Sequence, residues 1–103
     1  MTKQQLVEVL QELSFACKSI TSKEQLREVI FKYDILFGGS NYNVIYSAEL
    51  YHCLKSFFEI DTSLEELNIL LPDVCAELGM HCDAMIYAAK LPEHVLAGFQ
   101  ITL

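Results

Sequence analysis

A chain of 103 residues, 52% of them hydrophobic and carrying a net charge of −7, is long enough to bury one core and too apolar for a disordered segment. No apolar run approaches the roughly 20 residues that a membrane helix needs. The opening Met1-Thr2-Lys3-Gln4-Gln5 lacks the apolar stretch of a secretory signal, so a single cytoplasmic domain spanning 1–103, with no membrane partner, is expected.

The charge is distributed unevenly. Residues 1–55 set Lys3, Lys18, Lys23, Arg27, Lys32 and Lys55 against Glu8, Glu12, Glu24, Glu28, Asp34 and Glu49, and balance. Residues 56–103 set Lys90 alone against Glu59, Asp61, Glu65, Glu66, Asp73, Glu77, Asp83 and Glu93, and so hold all of the −7. Such a half repels nucleic acid and anionic membranes and favours a basic partner surface.

Residues 3–20 place Leu6, Val9, Leu10, Leu13, Ala16, Cys17 and Ile20 at steps of three and four, which predicts an amphipathic helix. Phe15 falls on its polar side. Thr21 with Glu24, or Ser22 with Gln25, supplies a capping box for a second helix over about 22–37. Leu26, Val29, Ile30, Tyr33, Leu36 and Phe37 line its inner face, and Gly38-Gly39 stops it. Phe31 and Ile35 then fall on its outer face.

Val44-Ile45-Tyr46 reads as a short strand or as the lead-in to a third helix over 47–58, with Ser47 as its N-cap. Leu50, Tyr51, Leu54, Phe57 and Phe58 face inward there. In the fourth helix, 63–78, Thr62 pairs with Glu65 and Ser63 with Glu66, repeating the earlier cap. Leu64, Leu67, Leu70, Leu71, Val74, Cys75 and Leu78 form its stripe. Pro72 kinks or breaks it, because proline removes a backbone donor and crowds the preceding turn. Both the second and the fourth helix begin T-S-x-E-x-L and end at glycine, which two helices sharing one cap explain without an internal repeat.

Residues 84–91 suit either a strand or a helix continuation. Residues 92–98, with proline first and glycine last, predict a short helical turn. Residues 99–103 alternate and predict a terminal strand, which pairs with 84–90 if those are extended. The fold class expected is mainly α: four helices with a small C-terminal β-hairpin. The alternative is an α+β winged helix-turn-helix. The order of elements is similar to that of a winged helix over about four-fifths of the chain, and such a fold would send the helix at 63–78 into the major groove of DNA.

The functional residues follow from these placements. His52-Cys53, His81-Cys82, Cys17, Cys75 and His94 are ligand types for zinc, but no close paired spacing of the C-x₂₋₄-C kind is present, and neighbours on a helix point about 100° apart. Buried free thiols are the simpler reading. Cys82 lies beside acids that would raise a thiol pKa, which disfavours thiol catalysis. Gly38-Gly39-Ser40 lacks the lysine and following helix of a phosphate loop. No catalytic residue, cofactor or metal site is therefore assigned.

The helix at 63–78 has no Lys or Arg, while phosphate contacts dominate DNA affinity, so nucleic acid is disfavoured as a partner. What remains is a protein-binding module. Glu65, Glu66, Ile69, Asp73 and Glu77 are expected to meet a basic protein surface. Phe15, Phe31 and Ile35, as large apolar residues on outer faces, are expected to support self-association as a homodimer. The alternatives are a winged-helix transcriptional regulator whose dimer brings basic N-terminal residues to DNA, and an inhibitor that occludes a nucleic-acid-binding site. Phage-type inhibitors of the latter kind resemble this chain in size and charge.

Overall fold

A computed structural model describes residues 1–86 and 96–103. Among the described residues there are four helices and three strands: α1 (Lys3–Lys18), α2 (Lys23–Tyr33), β1 (Val44–Tyr46), α3 (Ser47–Ser56), α4 (Leu64–Leu78), β2 (His81–Ile86) and β3 (Leu96–Thr102). The expected four helices are present, and the C-terminal hairpin is joined by β1 into one antiparallel sheet of order β1-β3-β2. The fold is thus mainly α with a small β part, consistent with the α+β class. Residues 84–86 are strand, while 87–91 lie outside the described residues. The helical turn expected at 92–98 is strand from 96 onward, and its first four residues lie outside the described set.

Helices α1, α2 and α4 begin where a side chain satisfies a free N–H group of the first turn, whereas α3 has no side-chain cap. Thr2 and Gln5 form a full capping box on α1. Ser22 Oγ accepts from the Gln25 N–H, and Ser63 Oγ from the Glu66 N–H. Of the two caps offered for α2, the Ser22–Gln25 pair is the one used. Before α4, the Thr62 hydroxyl donates to the Glu66 carboxylate, and the cap expected between Thr62 and Glu65 does not form.

Helix α1 ends at Lys18 and α3 at Ser56, short of the expected 20 and 58, and two further differences relocate side chains. The second helix stops at Tyr33 and not at Gly38-Gly39. Asp34 takes the left-handed conformation (φ 54°) and returns its N–H to the Ile30 carbonyl, a C-cap that Asp adopts more readily than most residues. From there the burial alternates: Tyr33, Ile35 and Phe37 are buried and Asp34 and Leu36 exposed, the two-residue period of extended chain. Gly38 then bridges Val44. Ile35, expected on an outer helix face, is consequently 1% exposed, and Leu36, expected inside, is exposed.

Ser47 is the second difference. It is the first residue of α3 and Tyr46 is the cap. Its buried hydroxyl instead accepts the N–H of Phe99 at 3.0 Å and joins α3 to the central strand. In α4, the chain passes through Pro72 without a break. Pro72 lies on the exposed side, and the Asn68 carbonyl loses its helical donor there. Gly79 (φ 70°) and Met80 close the helix in a Schellman motif, with their N–H groups on the carbonyls of Ala76 and Cys75.

The core lies between the helices and one face of the sheet. Leu6, Leu10 and Leu13 of α1 meet Leu67, Leu71 and Val74 of α4, Leu50 and Leu54 of α3, and Ile45 and Ile101 of the sheet. A side chain of this size contributes roughly 1.5–3 kcal/mol when fully removed from water. Ile45, Ile101 and Cys82 stand side by side across β1, β3 and β2, so the inward face of the sheet is apolar where it meets α3 and α4.

Candidate protein-interaction surface

Helix α4 buries Leu67, Leu71, Val74 and Cys75 and turns its opposite side to solvent. At about 100° per residue, Glu65, Ile69, Pro72 and Ala76 make the crest of that side, with Asp73 beside them. Ile69 is 74% exposed among these residues, as the periodicity predicts. The five acidic-face residues do not act as one set, however. Glu66 accepts from the Met1 amine at 3.0 Å and from the Thr62 hydroxyl at 3.1 Å, and Glu77 accepts from Lys3 Nζ at 2.9 Å. The bonds from the Met1 amine and then from Thr62 hold the Glu66 carboxyl below its ordinary range. Both carboxylates tie α4 to the start of α1. Glu65, Ile69 and Asp73 are left as the outward group.

The aromatic residues expected on outer faces separate in the same way. Phe15 is 78% exposed and Phe31 90% exposed. Ile35 belongs to the core and leaves the self-association set. Phe15 stands on the wall of a cleft of about 590 Å³ between α1 and α2, also lined by Val29, Lys32, Tyr33, Phe57 and Phe58. Its aromatic wall is ordered edge to face, with Tyr33–Phe57 centroids 4.7 Å apart and Phe57–Phe58 centroids 4.9 Å apart, the geometry that ring quadrupoles favour. Phe31 does not line this cleft.

A feature that sequence reasoning missed lies at the end of α2. The left-handed turn at Asp34 directs its carboxylate to His52 Nε2 of α3, at 2.7 Å. The pair borders a second cleft of about 420 Å³ with Ile30, Leu36, Ala48 and Glu49. Residues 34 and 52 are on different elements, so no local spacing marks the pair. Both side chains are more than half exposed, where ion pairs contribute little.

Of the thiols and histidines that are ligand types for zinc, His94 lies outside the described residues, and Cys75 lies beside Cys82. Among the described residues no group of three His, Cys, Asp or Glu side chains converges as a metal site. Cys17, Cys53 and Cys75 are buried and Cys82 partly so, all unbridged. Burial, reinforced by Asp34 and Glu12, pushes the Cys53 thiol up to about 12, and burial does the same to Cys75 beside Cys82. Both are protonated at neutral pH and weakly nucleophilic. Compared with family models, curated proteins and solved structures, the chain finds no match.

Proposed function

We propose that this chain is a small cytoplasmic, non-enzymatic protein-binding module that offers the outer face of α4 to a basic protein surface and associates with itself. The observation that carries the reading is the composition of α4. In a winged helix this element would enter the major groove. Here it has acids at 65, 66, 73 and 77, no Lys or Arg, and an exposed Ile69 on its crest. Groove entry demands phosphate neutralisation, which these side chains oppose. An apolar residue ringed by carboxylates instead suits a cationic protein surface, where the apolar centre supplies affinity and the charges supply orientation and rate. Glu65, Ile69 and Asp73 make the contact, and Glu66 and Glu77 hold the helix in place. The exposed aromatic residues Phe15 and Phe31 support self-association.

The second reading, a DNA-binding regulator, has the connectivity of the fold in its favour. It requires a dimer to bring the bases of α1 and α2 to DNA. Parallel retention on an immobilised cationic polypeptide and on duplex DNA separates the two. The acidic-module reading expects salt-sensitive retention on the polypeptide, lost when Glu65 and Asp73 are both replaced by Lys and kept when Glu24 and Glu28 on α2 are replaced instead. Retention on DNA that falls steeply with salt, with no difference between the two double variants on the polypeptide, would overturn it.

A further inference from the structure

Helix α2 is amphipathic by sequence yet poorly covered. Of its eleven residues only Tyr33 is buried, while Leu26, Val29 and Ile30 of the same stripe remain partly open to solvent. The cleft beside it has an aromatic floor and an exposed Phe15 on its rim. A ring that projects beside an aromatic cleft is the pattern of a self-complementary surface, since a two-fold axis can place each ring in the other copy's cleft.

The charges at the rim point to the same occupant. Glu12 and Lys32 both line the cleft, and among the described residues neither takes part in an ion pair. The rim is thus locally neutral on a chain of net charge −7. Both charges stand beside Tyr33, so a two-fold axis through the cleft can set the acid of one copy against the base of the other, whereas the acidic face of α4 would meet its own copy with like charge.

We infer that the α1–α2 cleft is the interface of an isologous homodimer in which Phe15 of each copy is seated against Tyr33, Phe57 and Phe58 of the other. This rests on the self-association in the function proposed above and selects Phe15, and not Phe31, as its anchor. The dimer turns both α4 faces outward and leaves them free for basic partners.

Sedimentation equilibrium of the full chain over a concentration series, in about 0.1 M and about 1 M salt, tests this. A dimer is expected that tightens with salt, because screening relieves the repulsion of two acidic copies while the apolar contact persists. Phe15→Asp should raise the dissociation constant roughly 30-fold or more, the effect of losing a central anchor, with the thermal midpoint unchanged at concentrations where both chains are monomeric. Phe31→Asp should leave the dimer as it is. Glu12→Lys should weaken it, and the added change Lys32→Glu should restore it.

A chain that stays monomeric at every concentration overturns the inference. So does a dimer that survives Phe15→Asp and is lost with Phe31→Asp. Retention on the cationic polypeptide, read on the same variants, reports the α4 face independently. If retention fails while the dimer behaves as expected, the acidic-partner reading falls and the interface stands.

Discussion

Ile35 and Phe31 illustrate how one backbone torsion reassigns a side chain. Four residues apart, they share a face of any continuous helix. Asp34 ends the helix between them in a left-handed conformation, so Phe31 stays in solvent and Ile35 is inserted into the core beside Tyr33 and Phe37. The energetic contrast is large. Ile35→Ala should lower unfolding stability by about 2–5 kcal/mol, through lost transfer energy and the cavity left behind. Phe31→Asp and Ile69→Asp should each stay within about 0.5 kcal/mol of the parent, as for ordinary surface changes. Urea denaturation of the three variants checks this, and equal losses at 31 and 35 would show that the helix continues through Asp34. The exposed positions were legible from periodicity. The reversal at 35 and 36 was not, because Gly38-Gly39 is the stronger stop signal by composition, and Asp in a left-handed turn is recognised only once the chain is seen to leave the helix.

At the scale of elements, the sheet is held to the helices by a polar contact inside an apolar layer. The Ser47 hydroxyl receives the Phe99 N–H where β3 passes over the start of α3. Directly beside it, Gly98 has φ 149°, and a Cβ there would come within 2.6 Å of Ser47 Oγ. The close approach and the backbone conformation both require glycine. Gly98→Ala should therefore destabilise by several kcal/mol through clash and strain together. Ser47→Ala leaves a buried N–H without its acceptor and should cost about 1–3 kcal/mol. The double variant Ser47→Ala, Gly98→Ala removes the clashing oxygen and should cost less than the sum of the two, a non-additivity that a double-mutant cycle in denaturant measures. Ser47 was expected to cap α3 because it precedes a helical stripe. Its true acceptor role depends on a residue 52 positions away in sequence, which no local pattern encodes.

For the molecule as a whole, the buried thiols link stability to alkaline pH. Burial raises the pKa of Cys53 and Cys75 from 9.0 to about 12, so the folded state holds their protons more tightly than the unfolded chain does. A pKa raised by folding gives stability that is complete below the unfolded value and is lost as pH rises through the folded one. The stability curve should therefore be unaffected by these groups below about pH 9 and fall between about 9 and 12. Replacing both residues by Ala should flatten that alkaline fall while lowering stability at neutral pH. Denaturation midpoints of the parent and the double variant across this range provide the measurement, and identical alkaline slopes would exclude Cys53 and Cys75 as its origin.

Helix number, the Ser22 and Ser63 caps and the inward stripes of α1 and α4 were determined by the sequence itself, because hydrophobic period and first-turn hydrogen bonding act within a few residues. The acidic crest of α4 and the solvent position of Ile69, Phe15 and Phe31 followed from the same local rules. Only the tertiary structure decided which acids are free. Lys3 and Met1 come from the far end of the chain to occupy Glu77 and Glu66, leaving Glu65 and Asp73 outward. It alone also paired β1 with β3, brought His52 to Asp34, and set Phe15 on the rim of an aromatic cleft built from α1, α2 and the end of α3. Each of these depends on contacts between residues distant in sequence, whose geometry is set by the packing of the whole core and not by any stretch of it.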